Sequence, residues 1–319
     1  MRIVITGGLG FIGLNLAGYI RRNHPGTSLI AIDWNENSLT AGQTIFDQIY
    51  NCCFVCPEAL PAYRDADVIV HLAGCSTVQE SITDPTFCHE NNVNRTHVLL
   101  EHLRQDKISA KLIFASTGGA IVGNKETPIR ESDPPNPLSP YGATKLAVEG
   151  MLAAYAATYG MNNTSLRFAN VYGPNSACHQ GVVARFCRAC LGDGVLRVNG
   201  DGHQSRDFIH ARDVSRAVMS VISEDARGIY NIGTGIGTSV RDLAALFQKI
   251  AGDFSARVRI EHAPMLPGEV LHNVCDITRI RNRCSFRPLI DLETGIRQTL
   301  EWFRTGTAGR TAINAVVAE

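Results

Sequence analysis

Apolar and polar residues follow two patterns along the chain: short, wholly apolar runs, and longer segments with apolar residues at helical spacing. The apolar runs predict buried strands at residues 1–5, 28–32, 52–55, 67–72, 111–115, 164–171 and 228–232. Between several of these runs, helical spacing predicts helices at residues 11–22, 87–103 and 141–159. Strands that alternate with helices need right-handed crossovers, so the pattern predicts an α/β fold with helices on both faces of a parallel sheet.

A glycine-rich turn follows the first predicted strand. The segment MRIVITGGLGFIG places Gly7, Gly10 and Gly13 between that strand and a helix that begins at Phe11. In this context G-x-G-x-x-G binds a dinucleotide, because glycines let backbone N–H groups approach the diphosphate and the helix N-terminus points at it. The alternative is an ordinary tight strand–helix turn. An acid after the second strand, Asp33, favours dinucleotide binding because its carboxylate can accept bonds from both adenosine ribose hydroxyls.

The same acid predicts which dinucleotide binds. A carboxylate at Asp33 repels a 2′-phosphate, and neither Trp34 nor Asn35 supplies a cation to pair with one, so NAD is expected rather than NADP. The segment HLAG, residues 71–74, has small residues where the backbone passes close to a ligand. The residues expected to contact the cofactor in these segments are Gly7, Gly10, Phe11, Ile12, Gly13, Asp33, Asn35, Leu72, Ala73 and Gly74.

The C-terminal part of the chain is less regular. Helical patterns cover residues 181–192, 211–223, 239–251 and 291–304, separated by loops rich in Gly, Pro and Asn. We therefore expect a Rossmann-type doubly wound parallel sheet and a smaller α/β C-terminal substrate lobe. The expected boundaries are 1–173, rejoined by about 207–233, for the first domain, 174–206 and 234–305 for the lobe, and 306–319 for a frayed tail.

Composition narrows the function classes. The 319 residues include 30 basic and 30 acidic side chains, a balance that argues against a nucleic-acid partner or an anionic membrane surface. No apolar run reaches the roughly eighteen residues that a membrane span needs. Because strand begins at the first residue, no signal peptide is expected, and we expect a cytosolic protein.

Ten cysteines are expected to be free thiols in that compartment. Two pairs have C-x-x-C spacing, Cys53 with Cys56 and Cys187 with Cys190. A zinc or redox site is the functional interpretation. Burial is favoured instead, because the first pair adjoins a predicted strand, the second lies in a predicted helix, and no histidine follows either at finger spacing. No metal site is predicted.

Tyr141 and Lys145 are four residues apart at the start of a predicted helix, so they share one helix face. Tyrosine ionises near pH 10, and a neighbouring lysine together with a positive nicotinamide ring would favour the phenolate. Tyr141 is therefore a candidate general base for an alcohol proton. The alternative is a solvent-facing helix pair. Ser116 and Thr117 end the fifth predicted strand, where ligands of such sheets bind, and can hold the substrate oxygen beside the tyrosine.

Six motifs in this order carry a resemblance: TGGLGFIG, HLAG, FASTGGAIVG, YGATK, LRFANVYGP and GDGHQSRDF. With them the chain resembles the extended short-chain dehydrogenase/reductase family, and within it the NAD-dependent nucleotide-sugar 4-epimerases of the UDP-glucose/UDP-galactose kind. The resemblance implies that Tyr141 is the catalytic base, that Lys145 binds the nicotinamide ribose, and that Thr117, next to Ser116, bonds the reacting hydroxyl. The substrate-binding residues that it implies are Thr117, Asn170, Arg206, Asn199, Val182 and Asn273, with Asn170 and Arg206 at the diphosphate. The alternative for Arg206 is a surface ion pair with Asp207.

The residues after Thr117 argue against sister activities of the family. Its dehydratases and decarboxylases carry an extra acid there, and its GDP-fucose-synthase type uses a cysteine in this neighbourhood. Here Gly118 and Gly119 offer no such side chain. Oxidation and re-reduction at one carbon is the chemistry that remains.

The chain departs from the family pattern at several substrate and cofactor positions. FVCPEAL has no aspartate where the family often has an acid that bonds adenine, Val122 replaces a tyrosine, and Asn199 replaces the aromatic residue beside the nucleobase. Leu266 stands where an arginine usually forms a second diphosphate clamp, and Arg197 and Arg185 are the candidate replacements.

The sequence therefore predicts a nucleotide-sugar 4-epimerase with tightly held NAD, acting on a UDP-hexose. The resemblance implies that Asn273 limits the room near the second carbon of the sugar, and an asparagine is small enough to admit N-acetylhexosamine. The alternative is that Asn273 points to solvent and decides nothing. Asn175 is neutral where uronate-handling relatives often carry an arginine, so a sugar carboxylate is less favoured. The alternatives are an epimerase for another nucleotide sugar, a one-way 4-ketosugar reductase, and a non-catalytic NAD-binding protein.

The resemblance implies a homodimer that pairs through the helices before strands five and six. Small residues line the second of these helices at Ala143, Ala147, Ala154 and Ala157, which would let two copies approach closely. The alternative is that these alanines only pack on the sheet.

Overall fold

The structure, a computed structural model, describes residues 1–34, 39–254, 257–265 and 270–306. Its strands are β1 (Arg2–Thr6), β2 (Ser28–Ile32), β3 (Gln48–Tyr50), β4 (Val68–His71), β5 (Lys111–Thr117), β6 (Asn163–Phe168), β7 (Asn170–Tyr172), β8 (Val195–Asn199), β9 (Ser205–His210), β10 (Gly228–Ile232), β11 (Gly237–Ser239), β12 (Arg259–Ala263) and β13 (His272–Asn273). Its helices are α1 (Phe11–Asn23), α2 (Leu39–Gln43), α3 (Val78–Thr83), α4 (Pro85–His89), α5 (Arg95–Gln105), α6 (Gly119–Val122), α7 (Pro140–Tyr159), α8 (Val182–Leu191), α9 (Ala211–Ser223), α10 (Val240–Asp253), α11 (Thr278–Cys284) and α12 (Leu292–Thr305).

The central sheet of the described chain has seven parallel strands in the order β10-β6-β5-β4-β1-β2-β3. From β1 the chain adds β2 and β3 on one side, and then returns to add β4 on the other side of β1. This change of side leaves a crevice at the carboxyl ends of β1 and β4. The predicted Rossmann-type α/β class is therefore confirmed. Among the described residues, no helix is both long and apolar enough to cross a membrane.

Alternate residues of the buried strands pack into two different cores. In β1, Ile3 and Ile5 face a core that includes residues of α1 and α9, whereas Val4 faces a core shared with α5 and α7. This alternation is why the central strands read as continuous apolar runs: both faces of a parallel sheet are covered.

The remaining described strands form two smaller sheets outside the central one. β9 pairs with β7, β11 and β13, and β8 pairs with β12. A third apolar core lies here, in which Phe186, Phe247 and Phe303 from α8, α10 and α12 are fully buried. The expected C-terminal lobe is thus an α/β unit with its own core.

Two predicted strands are wrong in their bounds. The third strand is β3, residues 48–50, and not 52–55. β3 is a short edge strand with half-exposed side chains, so it lacks an apolar signature, while the apolar run after it forms turns that pack under Tyr63, whose hydroxyl donates to the Phe54 carbonyl at 2.7 Å. The predicted strand 164–171 is divided at Ala169: β6 belongs to the central sheet and β7 pairs with β9.

The helix predicted at 87–103 begins earlier and is interrupted. Asp84 caps α4 by accepting from the Phe87 N–H at 2.8 Å, and Pro85 occupies the first helical position. A π-helical turn at residues 90–94 joins α4 to α5. The four helices predicted in the C-terminal part agree with α8, α9, α10 and α12 to within two residues, whereas α11 was not predicted. The predicted tail beyond residue 306 lies outside the described residues.

Candidate active site

A cleft of about 1430 Å³ opens at the carboxyl ends of the central strands. The sequence-predicted site residues that the structure describes all line this cleft: Gly7, Gly10, Phe11, Ile12, Gly13, Asp33, Leu72, Ala73, Gly74, Ser116, Thr117, Tyr141, Lys145, Asn170, Val182, Asn199, Arg206 and Asn273. Asn35 lies outside the described residues. The motifs that are scattered along the sequence are thus brought to one surface.

The glycine-rich turn fits a diphosphate. Gly7 has φ +69°, and a Cβ there would lie 2.8 Å from the backbone nitrogen of Ala73. A Cβ at Gly13 would overlap the carbonyl oxygen of Gly7, so α1 packs closely on the turn. Gly10 caps α1 without a side-chain hydrogen bond, and the first turn of α1 has no acidic residue. The N–H groups at this end therefore suit an anionic ligand.

Asp33 follows β2 at one end of the cleft. Its Oδ2 accepts from the Leu9 N–H at 2.9 Å, which fixes the carboxylate beside the glycine turn. This position is consistent with the expected bonds to an adenosine ribose. The glycine cradle and this carboxylate together fit NAD.

Two asparagines in the π-helical turn are site residues that sequence reasoning missed. Asn91 lines the cleft, and its buried Oδ1 has no hydrogen-bond partner among the described residues. Asn92 lies behind Gly74, and its Nδ2 donates to Thr144 Oγ1 at 3.0 Å and to the Cys75 carbonyl at 3.3 Å. The available signal was a pair of amides inside an otherwise amphipathic helix, because a buried polar side chain needs a partner or a ligand.

Three successive residues of β5 are each tied to α7. The Lys145 Nζ donates to the Ala115 carbonyl at 2.9 Å, and the Ser116 hydroxyl donates to Glu149 Oε1 at 2.6 Å. Thr117 hydrogen-bonds to the Tyr141 phenol. Tyr141, Lys145 and Glu149 are spaced four apart, so three turns of α7 each hold one of these three strand residues. The predicted Tyr141–Lys145–Thr117 set is therefore assembled at the end of β5.

The hydroxyl of Ser116 contacts the protein interior, which does not fit the catalytic role expected of this residue. Its side chain is 3% exposed and its hydroxyl is engaged by Glu149, which in turn pairs with Arg167. We therefore propose that Ser116 positions α7 against β5 and does not touch the substrate.

The electrostatics of the pair differ from the expectation that lysine favours the phenolate. Burial raises the pKa of Tyr141 well above its usual value, the nearby thiols of Cys75 and Cys88 add to this, and the hydrogen bond from Thr117 acts in the opposite direction. Burial also lowers the pKa of Lys145 to about 8. These groups of the chain therefore favour the neutral phenol of Tyr141. The positive charge that would favour the phenolate has to come from the nicotinamide ring of the cofactor.

Asn273 lies deep in the cleft rather than in solvent. A Cβ at Gly119 would overlap its carboxamide, and its Nδ2 donates to Asn170 Oδ1 at 3.4 Å. Its Oδ1 is buried and has no hydrogen-bond partner among the described residues. In β13 it pairs in register with Arg206 of β9. The alternative in which Asn273 faces solvent is therefore wrong.

Arg206 lines the cleft, and its Nη1 donates to the carbonyls of Ser205 and Leu271 at 2.9 and 3.2 Å. The neighbouring Asp207 is fully buried and accepts from the Thr234 hydroxyl at 2.6 Å and from the Gly235 N–H at 2.9 Å. Because adjacent strand residues face opposite sides, Asp207 does not form the surface ion pair that was the alternative for Arg206.

Two further arginines reach the same side of the cleft. Arg185 in α8 and Arg197 in β8 both line it, and Arg197 pairs with Asp193 at 3.1 Å. Leu266, the position of the missing arginine, lies outside the described residues. Asn175 has φ +64° and is not among the described cleft-lining residues, so the expectation that it faces the sugar is not supported.

The two C-x-x-C pairs lie in different surroundings. All ten cysteines are free thiols. Cys187 and Cys190 of α8 are buried in the core of the C-terminal lobe, as expected of a helix pair. Cys53 and Cys56 lie in turns rather than beside a strand, which corrects the predicted context.

Comparison with known proteins gives consistent matches. The sequence profile of the NAD dependent epimerase/dehydratase family matches residues 3–233. The chain is 33% identical to a UDP-glucose 4-epimerase of Mycolicibacterium smegmatis, over 95% of this chain and 99% of the relative. The crystal structure of the Thermotoga maritima UDP-glucose 4-epimerase with UDP-glucose is similar at a TM-score of 0.87 and 32% identity, covering 95% of this chain and 99% of that one.

A second solved structure shows the same likeness with a different sugar. It is the UDP-glucuronic acid 4-epimerase of Bacillus cereus in complex with UDP-glucuronic acid and NAD. Its TM-score is 0.87 at 26% identity, and the match covers 95% of this chain and 99% of that chain. Likeness of fold therefore extends across enzymes that act on different nucleotide sugars.

Proposed function

Because the chain belongs to the NAD dependent epimerase/dehydratase family, we propose that it is a nucleotide-sugar 4-epimerase that acts on a UDP-hexose. The cofactor of the family is NAD, and the glycine cradle with Asp33 fits it. The similar proteins described above include enzymes for UDP-glucose and for UDP-glucuronic acid, so the choice of sugar rests on this chain's own residues.

The contact between Gly119 and Asn273 carries the proposal. Elimination or decarboxylation would need an acid near the reacting carbon, but positions 118 and 119 are both glycine, and a Cβ at 119 would overlap the Asn273 carboxamide. With the Ser116 hydroxyl engaged by Glu149, Thr117, Tyr141 and Lys145 remain as the polar groups of β5 and α7 at this point of the cleft. This set supports proton transfer at one hydroxyl without an additional acid.

The proposed roles follow from the geometry. Tyr141 takes the proton of the sugar 4-hydroxyl, and Thr117 holds that oxygen beside the phenol. Lys145, buried one turn along α7, holds the nicotinamide ribose, and the positive nicotinamide ring, when bound, would favour the phenolate. NAD, when bound, would supply a reversible hydride acceptor for the sugar carbon, and a 4-keto sugar that turns about its diphosphate link could be reduced again on its other face.

Binding of the diphosphate is assigned to the opposite wall. Asn170 and Arg206 are its proposed partners, since a guanidinium matches phosphate oxygens with paired donors. Val182 and Asn199 lie further along this wall and are proposed to border the nucleoside. We also propose that residues 1–173 and 207–233 bind the cofactor, while 174–206 and 234–305 bind the nucleotide sugar.

The experiment is to release and identify the cofactor from denatured protein, and to assay UDP-, dTDP-, CDP- and GDP-sugars for 4-epimerisation. We expect NAD and turnover of UDP-hexoses. The variant Tyr141→Phe should lose turnover by orders of magnitude while retaining NAD, because only the proton acceptor is removed. Consumption of an exchangeable cofactor would indicate a 4-ketosugar reductase, and absence of turnover on every sugar would indicate a non-catalytic protein.

A further inference from the structure

The Asp33 end of the cleft has an unusual aromatic wall. Trp34, directly after Asp33, lines the cleft and is 51% exposed. The guanidinium of Arg95 lies over its ring, 4.9 Å from the ring centroid. A large indole is thus kept in place at the surface by a cation on one side while part of it stays accessible from the cleft.

Arg95 has unused hydrogen-bonding capacity. It is the first residue of α5, one turn beyond Asn91, and its Nη1 is buried without a hydrogen-bond partner among the described residues. A buried guanidinium N–H without a partner is costly, so a ligand acceptor at this position would be favourable.

Among the described residues that line this end of the cleft, Asp33 is the only carboxylate. After β3, the cleft is bordered by Cys52, Cys53 and Phe54. Two half-buried thiols and an aromatic ring suit a flat, weakly polar ligand face, and they offer no acid to accept from an exocyclic amine.

From this geometry we propose that the Trp34 indole is the stacking surface for the adenine ring of the dinucleotide, and that Arg95 fixes the indole in place. Recognition of the base then depends on its π face, which stacking uses, rather than on its amino group. The inference rests on the placement of NAD proposed above, with the diphosphate at the glycine turn and the adenosine ribose at Asp33.

The chain allows a direct optical test. It has two tryptophans, Trp34 and Trp302. Trp302 packs against Phe303 in α12 and is not among the cleft-lining residues. In a Trp302→Phe background, protein freed of NAD by charcoal therefore reports on Trp34 alone, and its refilling with NAD shows that the fold survived.

We expect NAD and ADP-ribose to quench Trp34 emission, and nicotinamide mononucleotide to leave it unchanged. Trp34→Ala should weaken NAD binding about tenfold, while Trp34→Phe keeps it within about threefold of wild type, because a smaller ring still stacks. Arg95→Gln should weaken NAD binding about threefold. Nicotinamide hypoxanthine dinucleotide, which lacks the amino group, should bind within about threefold of NAD.

Unchanged NAD affinity in Trp34→Ala, or unquenched Trp34 in the NAD complex, would overturn the proposal. A large preference for NAD over the hypoxanthine dinucleotide would overturn recognition by stacking. None of these measurements contains a sugar nucleotide. If the protein turns over UDP-hexose but the Trp34 results are not those expected, only the stacking inference is wrong. If the Trp34 results are as expected but no sugar nucleotide is turned over, only the epimerase proposal is wrong.

Discussion

Glu149 and Arg167 form an ion pair in the interior of the protein, with 2.7 Å between Oε2 and Nη2 and side chains that are 3% and 5% exposed. Arg167 in β6 is the register partner of Ser116 in β5, whose hydroxyl donates to the same carboxylate. One carboxylate of α7 therefore joins two strands immediately beside Thr117. The pair sets how far along β5 the helix that carries Tyr141 lies.

The first prediction concerns Glu149→Gln. It leaves the buried Arg167 without its counter-charge, so the free energy of unfolding should fall by about 3–5 kcal/mol. Because α7 loses its tie to β5, kcat should fall about tenfold or more while KM for the nucleotide sugar changes little. Steady-state kinetics and urea unfolding measure the two effects.

Ser116→Ala is the matched control, since it removes one hydroxyl and keeps the ion pair. Its unfolding free energy should fall by about 1 kcal/mol and its kcat only severalfold. A Glu149→Gln enzyme with wild-type kcat, or a Ser116→Ala enzyme as impaired as Tyr141→Phe, would contradict the positioning role.

The parts of this site that could be predicted from the sequence are those that depend on the spacing of residues within one strand, turn or helix. The glycine turn, Asp33 and the Tyr141–Lys145 face follow from spacing alone, because strand, helix and turn geometry fix where such residues point. The ion pair of Glu149 with Arg167 could not be inferred, since it depends on which strand lies beside β5. Nor could β3, an edge strand with only half-buried side chains, or the burial that raises the pKa of Tyr141.

The second prediction is cofactor choice. The Asp33 carboxylate, fixed by the Leu9 N–H, should repel a 2′-phosphate, so NAD should bind more tightly than NADP. In Asp33→Asn the repulsion is lost while Arg95 remains over Trp34, and the NAD/NADP affinity ratio should fall at least about tenfold. Fluorescence titration with both dinucleotides measures it. Tighter binding of NADP by the wild-type protein would show that the role of Asp33 is wrong.

A third prediction comes from His71, a buried imidazole at the end of β4. Its Nδ1 lies 2.7 Å from Thr6 Oγ1 and its Nε2 lies 3.0 Å from Thr96 Oγ1. Burial, together with the charge on Lys145, lowers its pKa to about 3. The unfolded chain therefore binds the proton first as the pH falls below about 6.5, and stability decreases from there toward pH 3.

Between pH 6.5 and pH 4.5 the wild-type protein should lose about 2 kcal/mol of unfolding free energy through His71. His210, whose pKa burial lowers to about 4, adds to the loss. Urea unfolding of wild type and His71→Gln at both pH values isolates the His71 contribution. If both proteins lose the same amount, the imidazole is not the group responsible.

The fourth prediction is a homodimer through α5 and α7. Ala143, Ala147, Ala154 and Ala157 are all exposed, so they do not pack on the sheet, which was the alternative for them. Val98 of α5 and Tyr159 of α7 are 48% and 53% exposed. An exposed apolar strip of small residues across two neighbouring helices suits a two-fold interface.

Sedimentation equilibrium at micromolar concentration should show a dimer. Ala147→Arg should give a monomer with unchanged far-UV circular dichroism, because the residue is exposed in the single chain. A wild-type monomer, or a dimer that Ala147→Arg leaves intact, would count against this interface.

The last prediction is about the sugar. Asn273 lies against Gly119 and Asn170, and its Oδ1 has no partner among the described residues, so its carboxamide borders the space beside the reacting sugar. An asparagine is smaller than a tyrosine and can donate to an acetamide oxygen. We therefore expect both UDP-glucose and UDP-N-acetylglucosamine to be epimerised.

Asn273→Tyr fills this space, and Asn273→Ser serves as the control because it enlarges it. The tyrosine variant should lower kcat/KM for UDP-N-acetylglucosamine at least about tenfold more than for UDP-glucose, since only the N-acetyl group meets the added ring. The serine variant should keep both substrates. Equal losses on the two sugars would mean that the tyrosine disturbs Asn170 or Thr117 rather than closing a gate. If UDP-N-acetylglucosamine is unaffected, Asn273 does not select the sugar, and the wall that does must lie elsewhere along the cleft.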